Sequence, residues 1–258
     1  MPHPSPAARA LGAAGLLAVL LLCLLAGCAG APPSFQAVWR ADRVDAAAGR
    51  RVLVVSDVDV HFGETRAPAS YDLLGAAVAQ RLASHGCELL DPERFTSRWR
   101  SAVQGAGGLF DPHTGEFLAA KRDSVLAAVL SRLQREQDFD DVVLLSLVEV
   151  AAPVREQVAA WDGVKRRYHV INQPVTREVR MHGTVPAASL LLEVVHRDGT
   201  TLLLNRAGLA LAEEAEYDPG NQAIHRRPIP DLTALVAPGE FLEQSVAIAL
   251  APYIPRDR

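Results

Sequence analysis

Two Asp-Gly pairs, Asp162-Gly163 and Asp198-Gly199, each stand between strand-like runs in the second half of the chain. An Asp-Gly step supplies the two positive-φ residues that a two-residue hairpin turn demands, so it is a strong short-range hairpin signal. The flanks agree with it. Leu190, Leu192 and Val194 alternate as one face, and residues 202–211 form a return strand. The second half is thereby directed toward antiparallel sheet, and other segments must cover that sheet.

The first half has a different pattern. Val52-Leu53-Val54-Val55 is a continuous apolar run, which predicts a buried strand over residues 51–60. After a loop with Gly63 and Pro68, Ser70 is placed to cap a helix over 71–85, with Leu73, Leu74, Ala77, Val78 and Leu82 on one face. Gly86 ends that helix, and residues 87–90 read as a second strand. Asp91-Pro92 opens a further helix with Phe95, Trp99, Ala102 and Val103 facing inward. A glycine-rich loop over 105–115 leads to a helix over 116–137 and an apolar strand over 142–150. Residues 212–238 read as a polar, Pro-rich loop, and 239–250 as an amphipathic closing helix. The fold class predicted is α/β: a single domain with a mixed sheet, an N-terminal βαβ unit, and C-terminal antiparallel hairpins plus a closing helix.

Upstream of this body the chain has another character. Residues 11–25 form a 15-residue apolar run without a charge, preceded by Met1 and Arg9. A membrane-spanning helix takes about 20 such residues, and the order of positive start, short apolar core and small residues is that of a secretory signal. A spanning helix is the alternative. Leu25-Ala26-Gly27-Cys28 at the end of the run resembles the lipobox of bacterial lipoproteins. Small residues let an extended backbone enter a protease groove, and a thiol accepts a diacylglyceryl group as a thioether. The resemblance implies cleavage before Cys28, acylation of its sulfur and amine with palmitate-like chains, and anchoring by more than one chain. Ala29, where an Asp would resemble an inner-membrane retention signal, directs the expectation to the periplasmic face of the outer membrane. The domains expected are residues 1–27 as signal peptide, 28–50 as tether and 51–258 as a periplasmic α/β domain.

The element order over roughly residues 50–254 also resembles the domain shared by three envelope families. These are the N-terminal part of the Tol translocation periplasmic protein, the curli-secretion lipoprotein, and the lipoprotein activators of penicillin-binding proteins. The likeness lies in element order and cell location, with no functional motif matched residue by residue, so it implies a fold alone. A family-specific α/β lipoprotein is the alternative.

Charge and cysteine usage narrow the partners. Arg9 is the one Lys or Arg of 26 that precedes Cys28, and all 30 acidic residues follow it, so the mature chain carries net charge −5. That argues against nucleic acid and against electrostatic docking on anionic lipid. Of the three cysteines, Cys23 leaves with the signal and Cys28 takes the lipid, so Cys87 has no partner for an intramolecular disulfide. Beside Leu89 and Leu90 it reads as a small buried hydrophobe.

Candidate chemistry is sparse. Asp57, Asp59 and His61 recur every second residue, so a strand would aim all three to one side as a metal site, or as the charged edge of a sheet. Glu213, Glu214, Glu216 and Asp218 form an acidic run, read as a solvated loop edge, with His225, Arg226 and Arg227 downstream. Trp161, beside an Asp-Gly turn, is a candidate partner contact, with cross-strand packing as the alternative. The histidines at 85, 113, 169, 182 and 196 are scattered, and no GxSxG, HExxH, CxxC or phosphate-binding glycine loop occurs. The function expected is a non-enzymatic binding or assembly module of the cell envelope. It would have a covalent lipid and no cofactor, and its partner would be an envelope protein or peptidoglycan-associated machinery. The alternatives are a periplasmic metal-dependent hydrolase and a subunit of an export complex. Residues 151–185 are the stretch long enough to cross a membrane as strands, against which their Arg and Lys residues argue.

Overall fold

The computed structural model describes residues 35–43, 47–56, 68–172, 181–229 and 236–255. By its internal contacts the chain divides into Met1–Gln36 and Ala37–Arg258, and the fold below is that of the second unit.

The predicted βαβ unit is present. Strand β2 (Arg51–Ser56) is followed by helix α1 (Pro68–Ser84) and strand β3 (Glu88–Leu90), and β2 and β3 pair in parallel. Helix α1 starts two residues before Ser70, which sits inside the first turn, fully buried, rather than at the cap. Helix α2 (Glu93–Gly105) follows, with the Asp91 carboxylate accepting from the Glu93 N–H at 3.0 Å. Helix α3 (Ala119–Leu133) is shorter than its apolar spacing suggests. Phe117 lies before it, bridged to Phe110 with ring centroids 5.5 Å apart.

Strand β4 (Asp141–Arg155) then runs parallel to β2 and antiparallel to β8 (Gly183–His196), while β9 (Thr201–Leu211) pairs antiparallel to β8. With β1 (Val38–Trp39) at one edge, the sheet order is β1-β9-β8-β4-β2-β3, so the chain passes from one side of β2 to the other between β3 and β4. Alternation along the strands builds two cores. Val52, Val143, Leu145, Leu190 and Leu192 face α1 and the closing helix α4 (Glu240–Leu250). Leu53, Val55, Val142, Leu144 and Val195 face Phe95 and Trp99 of α2 and Val125, Val129 and Leu133 of α3. Each such side chain removed from water contributes about 1.5–3 kcal/mol.

Three segments depart from the sequence expectation. Residues assigned to a tether join the body: β1 (Val38–Trp39) pairs with Leu203–Leu204, and Ala47 is buried in the core. The stretch from residue 212 onward, expected to be a loop, holds a hairpin of β10 (Glu213–Asp218) and β11 (Ala223–Pro228). With β7 (Val170–Ile171), which pairs in parallel with β10, it makes a small second sheet. The cause is alternation under a polar surface: Ala215 and Tyr217 are buried between outward carboxylates, and Asp218 accepts the Gly220 N–H at 2.8 Å to close the turn. Finally, β4 turns directly into β5 (Val158–Trp161) through Glu156 and Gln157, both at positive φ, a turn that neither residue type advertises.

Candidate functional site

Of the residues singled out from sequence, Cys28, Asp57, Asp59 and His61 lie outside the described residues. The strand that leads to the last three ends at Ser56. Among the described residues no group of three His, Cys, Asp or Glu side chains is placed to hold a metal ion. No described helix is long and apolar enough to cross a membrane.

Trp161 is turned inward. It is 7% exposed, pairs with Val164 across the turn between β5 and β6 (Val164–Arg167), and its indole N–H points at the Ala188 carbonyl, 3.4 Å away. The reason is Gly208. A Cβ there would meet Val164 Cγ2 at 2.3 Å and Trp161 Nε1 at 2.6 Å, so only glycine lets this hairpin lie flat on the sheet. The turn itself is held by charge. The Asp162 carboxylate accepts from Ser189 Oγ at 2.6 Å and from Arg206 Nη2 at 2.8 Å, while its backbone carbonyl accepts the Gly208 N–H at 3.1 Å.

The acidic run belongs to β10 and is largely neutralised across its hairpin. Glu216 pairs with Arg227 at 2.6 Å, and Glu213 lies 3.6 Å from Arg226 while accepting the Tyr168 hydroxyl at 2.8 Å. Burial and the Glu213 carboxylate push the Tyr168 hydroxyl pKa up. Carboxylates tied to arginines on one strand do not form the facing pair that glycoside hydrolysis uses.

A second polar cluster was not legible in the sequence. Asp141, at the start of β4, is fully buried and accepts four hydrogen bonds from three side chains. These are Arg50 through Nε and through Nη2 (2.8 Å), His196 Nδ1 at 3.0 Å, and the Tyr253 hydroxyl at 2.7 Å. Burial, with the Asp141 charge beside it, raises the Tyr253 pKa. Nearby Cys87 donates to the Ala47 carbonyl at 3.3 Å, and burial pushes its thiol pKa up as well. Nucleophilic cysteine chemistry requires the thiolate, which such an environment disfavours. The cluster therefore acts as a polar pin joining β4, β8, the segment before β2 and the segment after α4. The one sequence sign of it is an Asp at the threshold of an apolar strand.

An open groove of about 960 Å³ lies between α2 and α3. The helices run antiparallel, since Arg98 of α2 pairs with Glu136 just beyond α3 and the Leu118 N–H donates to the Leu109 carbonyl. Ser97, Ser101 and Gly105 recur every fourth residue on α2, and Ser124 and Ala128 face them from α3. Their small size keeps the space between the helices open. The rims carry Arg94, Arg98, Lys121 and Arg132 against Glu93 and Glu136, a positive excess on a chain that is acidic as a whole. A smaller hollow of about 250 Å³ lies where Arg166 stacks over Phe241, 4.0 Å from its ring centroid. Phe241 is 61% exposed there.

No family model matches the chain, and no curated protein matches it in sequence. Among solved structures it is similar to the PelC dodecamer from Paraburkholderia phytofirmans, with 9% identity and a TM-score of 0.35 over 86% of this chain and 97% of that one. It also aligns with a bacterial aryl acylamidase of the amidase signature family, with 12% identity and a TM-score of 0.21 over 81% of this chain and 44% of that one. At these scores neither likeness bears on function.

Proposed function

We propose that this chain is a lipoprotein of the bacterial cell envelope, anchored through acylated Cys28 at the periplasmic face of the outer membrane. Its α/β body acts as a non-enzymatic binding or assembly module for an envelope protein or peptidoglycan-associated partner. The observation that carries the reading is Leu25-Ala26-Gly27-Cys28 at the end of a 15-residue apolar run, followed by Ala29. Two or more acyl chains, at about 0.8 kcal/mol per buried methylene, hold a protein on its membrane durably. The body supports the binding role through its surface: an open basic groove on one helical layer and an exposed aromatic under a guanidinium on another face.

The test compares the wild type with Cys28→Ser in membrane fractions washed with high salt and carbonate. The proposal expects wild type in the outer-membrane fraction and the variant shifted out of it. Identical distributions would overturn the anchor.

A further inference from the structure

We infer that the groove between α2 and α3 seats an acidic amphipathic helix of a partner protein. The inference rests on the binding-module reading and names the place and chemistry of the contact. Four features of the groove support it.

The shape is that of a helix seat. Two antiparallel helices of 13 and 15 residues flank it, and α2 alone is about 20 Å long at 1.5 Å per residue. Residues 97, 101 and 105 on one wall and 124, 128 and 132 on the other form rows at the four-residue spacing into which a third helix lays its own ridges. Serine, alanine and glycine dominate these rows, so a third axis can approach closely.

The floor is apolar and the rims are basic. Ala102 of α2 and Ala106 just beyond it, with Val125 and Val129 from α3, line the bottom. Of the four cations, Arg98 is engaged with Glu136. Arg94, Lys121 and Arg132 make no ion pair among the described residues, and Glu93 is the remaining carboxylate. An occupant with an apolar stripe flanked by carboxylates satisfies both the floor and these three charges.

The lining also separates this occupant from a glycan. Sugar faces stack on aromatic rings, and no aromatic residue lines the groove: Phe95 and Trp99 of α2 are turned into the core, 0% and 5% exposed. Finally, α2 and α3 already cover their face of the sheet through their apolar side chains, and of the groove's cations Arg98 alone is paired among the described residues. Arg94 and Arg132 are exposed.

The experiment uses the full-length lipidated protein in detergent and a fluorescent 16-residue helical peptide with a Leu/Ala stripe flanked by Glu. A second peptide carries Lys in place of Glu, and inorganic polyphosphate serves as a non-helical anion. The wild type should bind the Glu peptide, more weakly as salt rises, and discriminate against the Lys peptide. The double variant Arg94→Glu/Arg132→Glu should lose roughly tenfold in affinity for the Glu peptide, about 1.4 kcal/mol, and gain for the Lys peptide. Ser101→Trp, which fills the groove without changing charge, should weaken both. All three positions are exposed, and unchanged melting curves would confirm intact folds. Failure to bind the Glu peptide would overturn the inference, as would binding indifferent to these variants or equal displacement by polyphosphate. Photocrosslinking in cells from Ser101, Ser124 and Phe241 separates this failure from that of the parent reading. Capture of an envelope protein from Phe241 alone would defeat the groove and leave the binding module standing. Capture from none of the three would defeat both.

Discussion

Tyr253 donates its hydroxyl to the Asp141 carboxylate at 2.7 Å, across 112 residues of sequence, and the acceptor is wholly sealed from solvent. Arg50 and His196 occupy the other positions around that carboxylate. The segment after the closing helix is thereby tied to the first residue of the central strand. Three side chains from three parts of the chain converge on one buried charge.

Removing that charge is expected to be costly. Asp141→Ala leaves Arg50, only 17% exposed, without its partner. The loss should be about 3–5 kcal/mol, since breaking a buried pair from one side strands the other ion. Tyr253→Phe keeps Arg50 and His196 in place and should cost about 1 kcal/mol. Urea unfolding of the two variants beside wild type measures both, and equal effects would contradict the central place given to the carboxylate.

The same contact sets an alkaline limit. The folded protein holds the Tyr253 proton above the ordinary tyrosine value of 10.0, because burial and the adjacent carboxylate disfavour the phenolate. Below that value both folded and unfolded chains are protonated and the contribution is fully present. As pH rises past it the unfolded chain releases the proton while the folded chain keeps it. Stability should therefore fall by about 1.4 kcal/mol per pH unit for this group. Chemical denaturation between pH 8 and 11 should show the decline in wild type and a shallower one in Tyr253→Phe.

Gly208 is the position least able to accept a side chain. In Gly208→Ala the new methyl would sit within van der Waals radii of Val164 and Trp161, forcing the β5–β6 hairpin off the sheet. A destabilisation of about 1–3 kcal/mol is expected, as for other overpacked cores. A red shift of tryptophan emission as Trp161 meets water should accompany it. Trimming the clash in Gly208→Ala/Val164→Ala should restore part of the loss, which a purely conformational cost of alanine would not allow.

What could be read ahead of the structure follows how strongly local physics constrains each segment. The Val52–Val55 run and the two Asp-Gly steps each allow few conformations, and all three elements formed where expected. The β10–β11 hairpin was hidden because its buried positions, Ala215 and Tyr217, lie among four carboxylates, so polarity masked the alternation. Strand β1 is two residues long and owes its existence to the waiting edge of β9, a tertiary effect with no local signal. The same holds for the Asp141 cluster, whose members at 50, 141, 196 and 253 are joined only by the fold. The groove follows the same logic, for its basic and small residues sit on two helices separated by a 13-residue connection.

The mass of the mature N-terminal peptide decides whether Cys28 is the acylated first residue of the chain. Protein extracted from membranes should yield a peptide beginning at Cys28 and heavier by a diacylglyceryl group and an amide-linked acyl chain. A peptide that still carries residues 1–27, or one that begins elsewhere with an unmodified thiol at Cys28, would rule out the lipid anchor.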